Sequence, residues 1–259
     1  MIPITYLFAI FFFALGTIIA SFLGVVVARF GTGESWWSGH SYCDSCGVTL
    51  TAKDMVPIFS WLLSRGRCFH CSTRVSVAST IVEATLGTLF MLSYFLFGIS
   101  FPLLFFLCAL FFVGAIVLYD IRHTIIPTPF SIFFVTVSIA FIASSAPTVQ
   151  AFWSAFALAL IIALSLVALH YASRGKAMGL ADAPFAFGLS LLATPFAFSG
   201  FLYSFWIGAL VGLFILARAP KGHRIGIEVP FAPFLAAGFL TALFTGWSVF
   251  YTISWLIHP

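Results

Sequence analysis

About eight apolar stretches, separated by short polar turns, constrain this chain more than any other feature. They lie near 4–28, 80–97, 101–119, 128–146, 150–171, 182–199, 201–217 and 231–256. A run of about 20 apolar residues is long enough to cross a bilayer as a helix, which satisfies its own backbone hydrogen bonds. Only 7% of the 259 residues are charged, against about 25% in a soluble domain. The mean hydropathy is +1.16. The fold class expected is therefore an all-α polytopic membrane protein with about eight transmembrane helices. With 34 Phe, its lipid-facing and helix-packing surfaces are aromatic. No Lys or Arg precedes Arg29, and the first run exceeds the roughly 7–15 residues of a signal-peptide core. A retained first helix is expected.

Threading eight spans places all eleven basic residues on one side. These are Arg29, Lys53, Arg65, Arg67 and Arg74, then Arg122, then Arg174 and Lys176, then Arg218, Lys221 and Arg224. Positive residues mark the cytoplasmic face. The net charge of +4 thus reports topology and not nucleic-acid binding. The N-terminus is expected outside, with the polar insert in the cytoplasm. The chain divides into a first transmembrane helix (1–28), a cytoplasmic insert (29–79) and a membrane domain (80–259). His170, His223 and His258 fall at span ends or the tail, where interfacial placement is the default. Trp36 and Trp37 in the insert are expected to rest against headgroups.

The insert carries Cys43-Asp44-Ser45-Cys46 and Cys68-Phe69-His70-Cys71. Two C-x-x-C turns at this separation are close to a four-cysteine zinc site, in which each turn aims two thiolates at one ion. So small an insert has little apolar core, and a structural metal would supply much of its folding energy. Two disulfides are the alternative, disfavoured in a reducing cytosol. His40 and His70 are nearby substitute ligands. Cys108 stands alone in the third span, where a small core residue is the default.

Seven acidic residues are present, and two of them, Asp120 and Asp182, bound long apolar stretches. Carboxylates at a membrane are costly and are usually functional. Both are expected at the same edge, in different helices. Two carboxylates that meet do not both ionise. The ionised one can take a proton from water while the protonated one hydrogen-bonds a scissile carbonyl. On the residues alone, helix capping by Asp182, a local pair of Asp120 with Arg122 or His123, and ion transport stay open.

Six segments, taken in order, resemble the type IV prepilin peptidases. They are Ala20-Ser21-Phe22-Leu23-Gly24-Val25-Val26, the paired C-x-x-C turns with Asp54-Met55-Val56-Pro57 to Arg65-Gly66-Arg67-Cys68, Val82-Glu83, Asp120 with Ile126-Pro127, Gly179-Leu180-Ala181-Asp182, and Pro230-Phe231-Ala232-Pro233-Phe234-Leu235. The resemblance implies a bacterial inner-membrane aspartic endopeptidase with Asp120 and Asp182 as its catalytic pair. Its implied substrates are prepilins or pseudopilins, whose short basic leader is cut after a glycine on the cytoplasmic side. It also implies N-methylation of the new N-terminal residue, commonly Phe, with S-adenosylmethionine. Gly24, Ala181 and Ala232 depart from the family pattern, as do Ala78-Ser79-Thr80. If the second glycine of G-x-G-D needs a left-handed backbone, Ala181 costs about 1–2 kcal/mol. Glu83 is expected either to serve methyl transfer or to neutralise an Arg. A non-catalytic membrane binding protein or transporter is the alternative function. The sequence leaves the oligomeric state open.

Overall fold

The computed structural model describes residues 3–35, 37–176, 178–218 and 229–249. Trp36, Lys221, His223, Arg224, His258 and the end of the last apolar stretch lie outside them. Nine helices are present among the described residues: α1 (Ile4–Arg29), α2 (Phe59–Leu63), α3 (Ala78–Phe97), α4 (Phe101–His123), α5 (Thr128–Ser145), α6 (Val149–Ala172), α7 (Asp182–Leu192), α8 (Ala197–Arg218) and α9 (Ala232–Thr245). Six of these, α1, α3, α4, α5, α6 and α8, are long and apolar enough to cross a membrane, while α7 and α9 are shorter apolar helices. The chain is an all-helical polytopic membrane protein, and no strand forms among the described residues.

Two compact units divide it, Met1–Ile99 and Ser100–Pro259. In the first, α1 packs along α3. Glycines permit the approach: a Cβ on Gly16 would sit 2.8 Å from the Gly87 Cα and the Leu86 carbonyl. The polar insert lies between these helices in sequence. Arg29, at the end of α1, donates to the carbonyls of Ser35 (2.8 Å) and His40 (3.2 Å) and so folds the entry of the insert back on itself.

In the second unit α4 packs on α5, α7 lies against α5 and α6, and α8 pairs with α9. Phe106, Phe134, Phe185, Leu189, Leu191 and Phe239 are fully buried there. The boundary between the sixth and seventh stretches differs from expectation. The expected spans 182–199 and 201–217 break at 193–196, because Pro195 has no N–H and holds the residue before it out of helix geometry. Helix α7 is thus 11 residues long, about 16 Å, about half of a hydrocarbon core of about 30 Å, and the crossing expected there needs the turn that follows it as well. Ten of its residues are buried, with Pro184 the exception. A helix that is apolar all round belongs inside protein, and α7 is surrounded by its neighbours. Cys108 also departs from expectation: it is exposed on α4, not in the core.

Candidate functional site

The thiol cluster is built from two copies of one turn, offset by 25 residues. In the first, the Cys43 N–H donates to the Val48 carbonyl (3.0 Å), the Gly47 N–H to the Cys43 carbonyl (2.8 Å) and the Leu50 N–H to the Ser41 carbonyl (2.8 Å). In the second, Cys68 donates to Thr73 (2.9 Å), Ser72 to Cys68 (3.0 Å) and Val75 to Gly66 (2.8 Å). Each turn closes through a left-handed residue, Gly47 (φ 69°) and its counterpart Ser72 (φ 60°). Isolated bridges Tyr42–Thr49 and Arg67–Arg74 complete the correspondence. No repeat is legible in the sequence beyond the C-x-x-C pairs, because backbone hydrogen bonds, not side chains, carry it.

The four Sγ atoms lie within 4.8 Å of one another. All four cysteines are free thiols, and Cys43 and Cys71 are 3.9 Å apart at sulfur, well beyond a disulfide bond of about 2.05 Å. Tetrahedral zinc with Zn–S bonds of about 2.3 Å separates its sulfurs by about 3.8 Å. The cluster therefore fits a metal ion. Hydrogen bonding with the Thr73 side chain and backbone holds the Cys71 thiol down to about 6, while burial and the neighbouring thiols push Cys46 up to about 11, and a metal needs both as thiolates. No histidine among the described residues joins the group. The His70 N–H instead points at the Cys68 sulfur (3.5 Å).

Glu83, near the start of α3, is buried. Its carboxylate accepts the Ile58 N–H at 2.8 Å, so its partner is a main-chain amide and neither expected role is what the contact displays. Ile58 is held at φ 63°, ψ −52°, a conformation a β-branched residue rarely takes and that costs on the order of 1–3 kcal/mol. Asp54 stands a few residues before it. Its carboxylate accepts from the Thr51 N–H (2.8 Å) and hydroxyl (2.7 Å), contacts that keep it below the usual carboxylate range.

The two aspartates belong to the second unit. Asp120 lies in the last turn of α4, which continues to His123 and ends at left-handed Thr124. It is buried, and its Oδ2 accepts the N–H of Ala232, the first residue of α9, at 3.0 Å. Among the described residues it forms no ion pair with Arg122 or His123; the His123 ring lies against Tyr119 instead. Asp182 is the first residue of α7 and is buried. It does not cap that helix. Its Oδ2 accepts the Gly179 N–H at 3.0 Å. Each carboxylate is thus held through Oδ2 by one main-chain amide.

The loop before Asp182 explains its motif. A Cβ on Gly179 would stand 3.3 Å from Asp182 Oδ2, so the first glycine provides room for the carboxylate. Ala181 has φ −70°, ψ −15°, an ordinary right-handed conformation. The expected strain at Ala181 is absent. His170 Nδ1 lies 2.8 Å from the Met178 carbonyl and ties this loop to the end of α6. The Ala232 amide and the Gly179 amide carry no side-chain signal, and only the neighbouring motifs hinted at them.

A unit carrying a four-thiol cluster, followed by a helical membrane unit with two buried carboxylates, defines a class, and the comparisons narrow it. The model of the Bacterial Peptidase A24 N-terminal domain matches residues 14–97, from within α1 to the end of α3. A prepilin leader peptidase/N-methyltransferase of Myxococcus xanthus is 32% identical over 225 residues, 84% of this chain and 66% of that protein. One of Bacillus subtilis is 30% identical over 243 residues, 92% of this chain and 94% of that protein. One of Legionella pneumophila is 29% identical, over 84% of this chain and 75% of that protein. No solved structure matches the chain. The chain spans about two thirds of the Myxococcus relative and nearly all of the Bacillus one. It belongs to the prepilin leader peptidase/N-methyltransferase family.

Proposed function

We propose that this protein removes the basic leader of type IV prepilins or pseudopilins, with Asp120 and Asp182 as an aspartyl pair. The observation that carries the reading is the two buried carboxylates in one helical unit, each anchored through Oδ2 by a backbone N–H. Burial without an ion pair is costly for a carboxylate, and a catalytic role accounts for it. The ionised carboxylate removes a proton from water, whose oxygen attacks the scissile carbonyl carbon while the protonated carboxyl gives its proton to the carbonyl oxygen. Collapse of that tetrahedral species returns this proton and breaks the C–N bond, and the amine leaves with the proton first taken from water. The Oδ2 anchors fix both groups, so no reorganisation is needed at the moment of reaction.

By the distribution of Lys and Arg, the aspartates and the insert face the cytoplasm and the N-terminus faces outward. The thiol cluster holds a structural zinc through Cys43, Cys46, Cys68 and Cys71, which orders the insert. The relatives' printed name extends the reading to N-methylation of the freed residue, with S-adenosylmethionine as methyl donor. The test is incubation of the purified chain with a prepilin and S-adenosylmethionine, followed by mass spectrometry. A product shortened by the leader supports the peptidase, and one further methyl group supports the transferase. An uncut substrate favours a non-catalytic binding protein.

A further inference from the structure

The main-chain amide that holds Asp182 belongs to the peptide group between Met178 and Gly179. Its N–H donates to Asp182 Oδ2 at 3.0 Å. The carbonyl of the same group, on the Met178 side, lies 2.8 Å from His170 Nδ1. A carbonyl oxygen only accepts, so Nδ1 carries the proton. A trans peptide points its C=O and N–H in opposite directions. One peptide plane therefore bridges the His170 ring and the Asp182 carboxylate.

The amide that holds Asp120 is fixed differently. The carbonyl of its peptide group, that of Phe231, accepts the N–H groups of Phe234 (3.0 Å) and Leu235 (3.1 Å), so the first turn of α9 sets that plane. The Met178–Gly179 group lies ahead of α7, outside any helix. Gly179 lacks a Cβ, which leaves room for the carboxylate and also leaves the peptide plane free to rotate. A tether from outside the loop is needed, and His170 supplies it from the last turn of α6. The loop closes over the ring: the Gly175 N–H returns to the His170 carbonyl at 2.8 Å, and a Cβ on Gly175 (φ 76°) would stand 3.4 Å from His170 Cε1.

We propose that His170 is a positioning residue for the peptidase, orienting the Asp182 carboxylate through the Met178–Gly179 peptide group. The proposal rests on the peptidase reading and adds to it a side chain that acts only through the main chain. A hydrogen bond at the carbonyl polarises the amide and strengthens its N–H as a donor. It also fixes the direction from which that N–H meets Oδ2, and so fixes where Oδ1 stands. Catalysis depends on such geometry, since a misplacement of about 1 Å can cost about 10²-fold in rate. The second ring nitrogen, Nε2, takes no part in this task. The essential feature is one N–H donor at the position of Nδ1.

The test uses the whole purified chain in detergent and a prepilin substrate. His170→Phe keeps a ring but removes the donor, and lowers kcat about tenfold with KM within about twofold. His170→Asn places an amide N–H at the position of Nδ1 and brings kcat back to within about twofold of the unaltered chain. His170→Gln carries the same amide one bond further out and does not restore it, so this pair decides the matter even where His170→Phe fails to fold. Amide hydrogen exchange reads the same contact without cleavage. Exchange at Gly179 speeds up in His170→Phe and His170→Gln and slows again in His170→Asn. The Gly175 amide, bonded to the main-chain carbonyl of His170, keeps its rate in all three. If the unaltered chain cuts no prepilin and exchange at Gly179 still follows His170 in this way, the peptidase reading fails and the tether stands. Unchanged kcat in His170→Phe, a rise in KM in place of a fall in kcat, equal activity of the Asn and Gln variants, or exchange that speeds up across the whole loop would each overturn the proposal.

Discussion

The thiol cluster of the first unit and the aspartate pair of the second are built by opposite means. The cluster uses local sequence: each C-x-x-C turn closes on itself through three backbone hydrogen bonds, and the two turns lie 25 residues apart. Its sulfurs are half-buried or exposed, and a bound ion would be their common partner. The aspartates are buried and are 62 residues apart in sequence. The anchor of Asp120 comes from a distant segment, the start of α9, while that of Asp182 is an amide three residues before it. An exposed site made from a local turn is ordered by its ligand. A buried site made from distant helices is ordered by the packing around it.

That contrast can be broken most forcefully at the thiol cluster. If it holds zinc as proposed, chelation, or Cys43→Ser with Cys68→Ser, removes a structural contribution that reaches about 10–16 kcal/mol in isolated zinc-finger peptides. Hydrogen exchange is expected to accelerate across residues 41–75 while α4 to α7 keep their protection. Equal loosening of both units would show that the two sites are not ordered independently.

A smaller effect separates the two small residues of the Gly179–Asp182 loop. Gly179→Ala places a Cβ 3.3 Å from Asp182 Oδ2, so the carboxylate gives by a few tenths of an ångström, and kcat is expected to fall by less than the about 10²-fold of a 1 Å misplacement. Ala181→Gly leaves kcat within about twofold, because Ala181 is already in a right-handed conformation. Steady-state cleavage of one prepilin by both variants checks the pair. A larger loss in Ala181→Gly would reverse the assignment.

The contact between Glu83 and Ile58 lies on the insert's side of the comparison. Glu83→Ala orphans the Ile58 N–H and releases a strained residue, with an expected loss of about 1–3 kcal/mol. Glu83→Gln keeps an acceptor and recovers most of it. Chemical denaturation of the three proteins measures this. If Glu83→Gln instead cleaves normally and fails only in methylation, the carboxylate serves the transferase.

The smallest expected effect is a gain. Ser72 occupies the left-handed position that Gly47 fills in the other turn, so Ser72→Gly should stabilise the insert by about 1 kcal/mol. A loss there would mean that the two turns are not equivalent.

Hydropathy made the helical membrane fold legible, and the C-x-x-C spacing made the cluster legible, since both signals are local. The break at Pro195 was also written in the sequence, but the apolar residues on both sides hid it from a reading by hydropathy. The burial of α7 was not legible, because a lipid-facing helix and a protein-facing one are equally apolar. Asp120 and Asp182 stood out by type and motif, while their anchors are main-chain groups that every residue possesses.

Single replacement of each aspartate tests the account most directly. Prepilin cleavage by Asp120→Asn and by Asp182→Asn should each fall by about 10²–10⁴-fold, with the melting transition of the helices unchanged. Cleavage by either variant within tenfold of the unaltered chain would contradict the aspartyl pair and return both carboxylates to a structural role.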